Sequence, residues 1–306
     1  MKRLGKMSLV AVLGMLLFWG CHRDDSPVEY GFGPEGPVPL MDRRVVGEWV
    51  SVSSGTHGAP YVSGWQITAR GQLYDLGVEF STGRLTRLPN APVYHFQALD
   101  GKFRITRQVS EAHEQLLWEG RYEVTEDQLV LEFQDYRTVR RTLQKSQLGA
   151  VVTAPLISRL SAMVNGELLR TPEITHSPPA TAVKITDNTG THLRIQGWSM
   201  DSCEMDADAC LVELYIADFS GGGAYPTGGA SLNHARYLLM VGDAGLEFST
   251  DSTHTGILHI ERYDENAGIC EGRFEFVGGV PQAGPQVPPV EVTEGHFQVP
   301  IYFQEG

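Results

Sequence analysis

The chain has 306 residues and a formal net charge of −13, and 42% of its residues are hydrophobic. This size allows one large domain or two ordinary ones, and the 34 Gly and 17 Pro residues are typical of a protein rich in turns rather than helices. The acidic balance repels phosphate backbones and therefore argues against nucleic acid as a partner.

The N-terminal residues predict an export signal that ends at a cysteine. A basic start precedes an apolar run at residues 7–20, which is too short to span a bilayer as a helix. The run ends in Phe-Trp-Gly followed by Cys21, which resembles the cleavage and lipidation motif of bacterial lipoproteins. The resemblance implies a signal peptide at residues 1–20 and a lipid on Cys21. An ordinary secretory signal, with Cys21 as a bystander, is the alternative.

Residues 21–40 predict a flexible tether, because they are rich in Gly and Pro and lack apolar periodicity. Asp24 and Asp25 resemble the surface-export signals of lipoproteins in some Gram-negative bacteria. That resemblance implies an outer-membrane lipoprotein exposed at the cell surface, with the membrane as a partner through its lipid anchor. Two solvated carboxylates in a linker are the alternative.

Residues 41–145 predict a first antiparallel β domain. Apolar and polar side chains alternate at residues 102–106, and they alternate again on both sides of a turn at residues 125–128. Only the stretch from Ser110 to Leu117 predicts a helix, and a brief one.

Short motifs in this region resemble small bacterial lipocalin-like domains. They are Gly47-Glu48-Trp49 in a first strand, Asp100-Gly101-Lys102-Phe103 before a strand, and Gly120-Arg121-Tyr122 leading to Leu129-Val130-Leu131. The resemblance implies a meander barrel with Trp49 packed at its closed end. Trp49 is interpreted as a core residue rather than a ligand contact.

Residues 144–155 predict a domain boundary, and residues 156–306 predict a C-terminal antiparallel β domain, either a sandwich or a barrel-like sheet. Asn165-Gly166 between apolar runs predicts a hairpin, since both turn residues must adopt positive φ. Cys270 shares a strand face with Phe274 and Phe276, so alternation points its thiol into the core.

Five segments of this second region resemble a family of uncharacterised secreted bacterial domains. They are Ser161 to Leu169, Phe219 to Tyr225, Gly256 to Asp264, Gly272 to Phe276, and Gly295 to Pro300. The resemblance implies an antiparallel β fold and brings no known activity or ligand.

A short polar loop lies between Cys203 and Cys210, which are predicted to form a disulfide in an oxidising compartment. The loop region contains four acidic residues of the kind that bind calcium: Asp201, Glu204, Asp206 and Asp208. Their spacing lacks the Gly and the distal Glu of a recognised calcium loop. We therefore predict a solvated acidic loop and no metal site.

No catalytic motif rises above background, so we predict a binding protein rather than an enzyme, with no cofactor. Four aromatic residues fall outside the main apolar faces and are candidate ligand contacts: Trp198, Tyr215, Tyr225 and Tyr302. Rings of this kind suit a carbohydrate or protein ligand at the cell surface. Edge packing within the β fold is the alternative interpretation.

Three function classes follow from these patterns. The leading hypothesis is a membrane-anchored envelope lipoprotein that acts by binding or adhesion. The second is a lipocalin-like binder that holds a small molecule in the first barrel. The third is a glycan-active enzyme, which requires two carboxylates flanking a cleft.

Overall fold

The computed structural model describes residues 41–55, 58–89, 91–110, 113–134, 137–200, 203, 207–241, 244–280 and 287–305. Apart from a 3-10 turn at Arg43–Val45, the regular elements of these residues are β-strands, and none of the described residues lies in an α-helix. The predicted all-β class is therefore confirmed. The predicted signal peptide, the tether and Cys21 lie outside the described residues.

The first sheet contains ten strands of the described chain. They are β1 (Gly47–Ser54), β2 (Pro60–Ile67), β3 (Gln72–Glu79), β4 (Arg84–Arg87), β5 (Tyr94–Leu99), β6 (Lys102–Ser110), β7 (His113–Val124), β8 (Gln128–Gln134), β9 (Thr138–Ser146) and β12 (Ile174–Thr175). Eight of them, in the order β3-β2-β1-β9-β8-β7-β6-β5, form an antiparallel ring that closes where β3 pairs with β5. The first half of the chain is therefore a closed barrel.

Strand β9 completes this ring although its sequence alternates poorly. It pairs with β8 along its length and with β1 near Trp49. Leu143 faces the barrel core, and alternation turns Arg141 and Lys145 to the same side. The Arg141 guanidinium lies 5.6 Å from the centre of the Trp65 ring, and the Lys145 ammonium lies 5.8 Å from the Trp49 ring. Cation–π contacts with these two rings allow cationic side chains at inward positions of β9, where apolar residues are expected.

The helix predicted from Ser110 to Leu117 is wrong. Strands β6 and β7 form one long hairpin, in which Arg107 lies opposite Gln115 and Ser110 lies opposite His113. The register shifts between Ile105 and Thr106, which marks a bulge in the hairpin. Pairing with a neighbouring strand therefore decides the backbone conformation here, against the local helix propensity.

The end of the barrel at which the chain enters is closed by the 3-10 turn and its flanking residues. The Trp49 Nε1 atom donates a hydrogen bond to the Val45 carbonyl oxygen at 2.7 Å, and the Tyr122 hydroxyl donates to Asp42 Oδ2 at 2.9 Å. Trp49 is fully buried and belongs to the barrel core. We call this the closed end of the barrel.

The second sheet contains eleven strands of the described chain. They are β10 (Arg159–Val164), β11 (Glu167–Arg170), β13 (Ala180–Asp187), β14 (Gly190–Ser199), β15 (Ala209–Ile216), β16 (Gly223–Thr227), β17 (His234–Val241), β18 (Ala244–Ser249), β19 (Gly256–Asp264), β20 (Ile269–Gly278) and β21 (Val290–Glu305). The main path runs β16-β19-β20-β21-β13-β14-β15-β17-β18, and β10 joins β21. Residues from both halves of this path enclose one hydrophobic core, as expected for a sandwich or barrel-like sheet.

Two sequence predictions for this half are confirmed. Asn165 and Gly166 connect β10 to β11 and have φ values of 47° and 86°. Cys270 is fully buried in the core beside Phe274 and Phe276.

The second half of the chain reaches the first sheet where β12 pairs with β3. Ile174 lies opposite Glu79, and Thr175 lies opposite Val78. The next residue, His176, accepts a hydrogen bond at its carbonyl oxygen from the Val62 amide at 2.7 Å. Residues 174–176 thus contact both β2 and β3 beyond the point where those two strands pair with each other. We call residues 174–176 the wedge.

Candidate ligand site at the open end of the barrel

Polar side chains enter the barrel interior at the end opposite the 3-10 turn. On β3, Leu73 belongs to the barrel core, and alternation turns Asp75 to the same interior. Trp65 on β2 lies directly opposite Asp75, and Arg141 on β9 lies near the Trp65 ring. The site therefore begins with one carboxylate, one indole and one guanidinium on three different strands.

Asp75 is largely buried, and that burial raises the pKa of its carboxyl group. Three neighbours oppose this rise by favouring the charged form, namely His176, the hydrogen-bonding Trp65 side chain and Arg141. Burial of a carboxylate is unfavourable unless partners compensate for the lost water. The site thus holds a carboxyl group whose charge is sensitive to what enters the barrel.

Aromatic rings form the base of the open end. The Trp65 ring centre lies 6.4 Å from that of Trp118, which lies 5.7 Å from that of Phe133. The chain of contacts continues into the core through Phe103, at 6.1 Å from Phe133, and Phe96, at 6.0 Å from Phe103. We call Trp65, Trp118 and Phe133 the aromatic floor. Trp118 is only partly buried, whereas Trp65 and Phe133 are buried.

The wall across from Arg141 carries Tyr94 on β5 and Arg107 on β6. The two residues lie opposite each other in the β5–β6 pair, and Tyr94 belongs to the barrel core. Burial, followed by the negative charge of Asp75, raises the pKa of Tyr94 to about 12, and the charge of Arg107 opposes that rise. The Tyr94 hydroxyl is therefore a hydrogen-bond donor at neutral pH.

The wedge brings a residue of the second half of the chain to the same place. The His176 Nδ1 atom lies 2.8 Å from the Val62 carbonyl oxygen, and its ring centre lies 5.9 Å from that of Tyr61. His176 also favours the charged form of Asp75. The open end of the barrel is thus built from both halves of the chain.

This arrangement is suited to binding a small organic molecule. It offers ring faces at the floor, a tyrosine hydroxyl and two guanidinium groups as donors, and one carboxyl group. Sequence reasoning missed Trp65, Asp75 and Arg141. A strand pattern with a charged residue at an inward position was the available signal, and recognising it requires the register of the whole barrel.

Three of the four aromatic residues predicted as ligand contacts share one outward face of the second sheet. The pairing register aligns Tyr302, Val183, Arg194, Tyr215 and His234 in a single row across five strands. Trp198 lies on the same face, four residues from Arg194 along β14. Tyr215 stacks on His234, with ring centres 4.8 Å apart. A ligand contact by these three residues stays a prediction.

Tyr225 lies elsewhere. Its ring packs 6.0 Å from that of Phe219 at the margin of the core, and its hydroxyl donates to the Gly221 carbonyl oxygen at 2.8 Å. These contacts hold the loop before β16, so the ring does not extend the aromatic face that carries Tyr215.

The three described cysteines take two different environments. Cys203 and Cys210 form a disulfide with Cα atoms 5.6 Å apart, and Cys270 is a buried free thiol. Burial raises the pKa of Cys270 to about 12. Of the acidic loop, Asp201, Glu204 and Asp206 lie outside the described residues.

Comparison of the chain with protein-family models and with curated proteins finds no match. Among the described residues, no group of three or more His, Cys, Asp or Glu side chains is placed to hold a metal ion. The described part of the chain also has no helix of the length and apolar character needed to cross a membrane.

Proposed function

We propose that this protein is an envelope lipoprotein that acts by binding, and that its barrel binds a small organic ligand at the open end. The observation that carries the proposal is the set of charged side chains turned into the barrel around Trp65: Asp75 lies opposite Trp65, and the Arg141 guanidinium lies 5.6 Å from the Trp65 ring centre. Interior positions of a small barrel are normally filled by apolar side chains, because a buried charge is costly. A charged group retained there is best explained by a ligand.

The contrast between the two ends of the barrel supports this proposal. Hydrogen bonds from Trp49 and Tyr122 secure the closed end, where the core is dense. At the other end Tyr61 is 39% exposed, and Trp118 and Arg141 are partly exposed. Mouths of β-barrels are frequent ligand sites, and the motifs around Trp49 resemble lipocalin-like domains. Catalysis has no comparable support, so binding remains the proposed activity.

A fluorescent probe tests the barrel site. N-phenyl-1-naphthylamine is a neutral aromatic molecule whose emission rises in an apolar environment. We expect saturable binding to the full chain, and we expect Trp118→Leu to weaken it by about tenfold, since loss of one aromatic contact costs about 1.4 kcal/mol. The matched control is Trp198→Leu, on the outward face of the second sheet. Equal weakening by both variants, or no saturable binding, would contradict the barrel site.

The lipid anchor is a separate part of the proposal, and it rests on Cys21 behind the signal-like run. Each buried methylene of a lipid chain contributes about 0.8 kcal/mol to membrane binding, and more than one chain makes anchoring durable. We expect Cys21→Ser to release the protein from membranes. Equal incorporation of radiolabelled palmitate by the wild type and the variant would refute lipidation at this residue.

A second candidate function is contact with a carbohydrate or protein at the cell surface through the face that carries Tyr302, Tyr215 and Trp198. The shared face of these three rings favours it. Retardation of the protein in gels containing soluble polysaccharides, reduced by Trp198→Ala and unchanged by Tyr225→Phe, is the expected result. Equal mobility of wild type and Trp198→Ala in every polysaccharide would refute carbohydrate contact.

A further inference from the structure

Two arginines supply the positive charge at the open end: Arg141, which is partly buried, and Arg107, which is exposed. Arg107 on β6 and Arg141 on β9 belong to strands separated by β7 and β8, so their side chains enter from different walls. Within the part of the chain that the structure describes, neither has a carboxylate within ion-pair distance. Some other arginines do have such a partner, as in the pairs Arg44–Asp42, Arg236–Glu213, Arg262–Asp264 and Arg273–Glu261.

The charge inside the barrel mouth is the reverse of the charge of the whole chain. The protein has a formal net charge of −13. At the mouth, by contrast, two arginines, Arg107 and Arg141, face inward, and Asp75 is the one inward-facing carboxyl group among the described residues. Burial shifts Asp75 towards its neutral form by raising its pKa. The mouth of this acidic protein therefore carries more positive than negative side chains.

We infer that the barrel mouth selects an aromatic anion: a planar ring that stacks on the aromatic floor and carries an acidic group between Arg107 and Arg141. This inference rests on the proposed ligand site and names the chemical class of its ligand. A guanidinium binds a carboxylate or sulfonate through two parallel hydrogen bonds, which favours an acidic group over a neutral one. The buried Trp65 ring makes the surroundings of the Arg141 guanidinium less polar than water, which strengthens the attraction.

The tyrosine at the mouth fits the same ligand class. The Tyr94 hydroxyl keeps its proton at neutral pH, because its pKa is about 12. It can donate a hydrogen bond to an anion and has no negative charge that would repel one. Arg107 lies directly opposite it in the β5–β6 pair, so a donor and a cation lie side by side on this wall.

Two probes that differ by one acidic group test the inference. 8-Anilinonaphthalene-1-sulfonate is N-phenyl-1-naphthylamine with a sulfonate added. We expect the sulfonate to bind the full chain about tenfold more tightly than the neutral probe, and more weakly as salt is raised. Arg141→Gln and Arg107→Gln should each remove most of that preference while leaving the neutral probe within about twofold of its wild-type affinity.

Two further variants complete the test. Arg121→Gln is the matched control, because Arg121 is an exposed arginine next to the inward-facing Tyr122 on β7 and so lies on the outer wall. Asp75→Asn removes the one carboxylate and should tighten the sulfonate selectively. Equal affinity of the two probes, or an equal effect of Arg121→Gln and Arg141→Gln, would overturn the inference and leave the proposed ligand site standing. Failure of both probes to bind would overturn the two together.

Discussion

Asp42 connects three parts of the closed end of the barrel. Its carboxylate accepts hydrogen bonds from the Arg44 Nε and Nη2 atoms, at 3.0 and 2.7 Å, and from the Tyr122 hydroxyl at 2.9 Å. The hydrogen bond from Arg44 is the main cause that lowers the pKa of Asp42 to about 2, and the Tyr122 hydroxyl adds to it. A residue just before β1 is thereby tied to a strand late in the barrel.

Asp42→Asn should destabilise the protein in a manner that depends on pH. The folded-state pKa lies below the unfolded value, so the stabilisation is complete above about pH 4 and is lost as pH falls towards 2. We expect a loss of about 1 kcal/mol at pH 7, measured by urea unfolding, and a smaller loss at pH 2.5. The control is Glu126→Gln, an exposed turn residue. A loss that is the same at both pH values would contradict this role of Asp42.

The oxidised protein should contain one disulfide, Cys203–Cys210, and one thiol that reacts only after unfolding. The sequence separation of 7 predicts a stabilisation of about 2.5 kcal/mol from the short loop in the chain-entropy model. Burial of Cys270 keeps its thiol protonated and therefore unreactive. Peptide mapping after alkylation in native buffer and in urea measures both. A disulfide that contains Cys270 would contradict the register of β20.

The wedge is the element through which the second half of the chain reaches the barrel. Its backbone approaches β3 closely because Gly77 has no side chain: a Cβ atom at this position would lie 2.8 Å from the Thr175 carbonyl oxygen and 2.6 Å from Leu88 Cδ2. The Leu88 side chain can turn away, whereas the backbone of Thr175 can move only with the wedge. Gly77 therefore sets the distance between β3 and β12.

Gly77→Ala should displace the wedge and leave the rest of the barrel in place. We expect a loss of about 1–3 kcal/mol of stability, as is typical of overpacking. The Val62 amide, which donates to the His176 carbonyl oxygen, should exchange its hydrogen faster, and the Phe96 amide, bonded to Gly71, should be unaffected. Gly222→Ala is the control, since its nearest neighbour lies at 3.4 Å. Unchanged exchange at Val62 would show that the wedge does not depend on Gly77.

The elements that the sequence predicts well are those whose burial follows a local pattern. Cys270, Phe274 and Phe276 alternate on β20, and the positive φ angles of Asn165 and Gly166 follow from their residue types. The site is harder to predict, because Asp75 and Arg141 meet only after β3 and β9 close the same barrel. Nothing in the sequence next to either residue indicates that the two lie close together in the folded protein.

The two halves of the chain contact each other through more than a single linker. The pairing of β12 with β3 is one contact, and Val152 and Leu156 are a second, since they pack against the buried cluster that contains Leu76 and Val78 of β3. Between β9 and Val152, residues 147–151 are mostly exposed. The predicted boundary at residues 144–155 is therefore open to cleavage, although chain segments on both sides of it touch the same strand.

Limited proteolysis should cut preferentially between residues 147 and 155 and produce two resistant fragments, which separate only in denaturant. The fragments should remain together in size-exclusion chromatography because β12 continues to pair with β3. Gly77→Ala should allow them to separate under native conditions. Digestion without a preferred site in this stretch would contradict the two predicted domains. Immediate separation of the wild-type fragments would show that the pairing of β12 with β3 is too weak to hold them together.

Strand β21 determines when the second sheet can form. It pairs with β10 and β20 along its first part and with β13 along its last part, and it follows every other strand that the structure describes. Pairings between distant segments incur the loop-closure entropy before they gain contacts, so they form slowly. A chain leaving the ribosome cannot complete this core until β21 has been synthesised. Late synthesis of β21 therefore keeps the second sheet incomplete until the end of translation, which is compatible with the export proposed above.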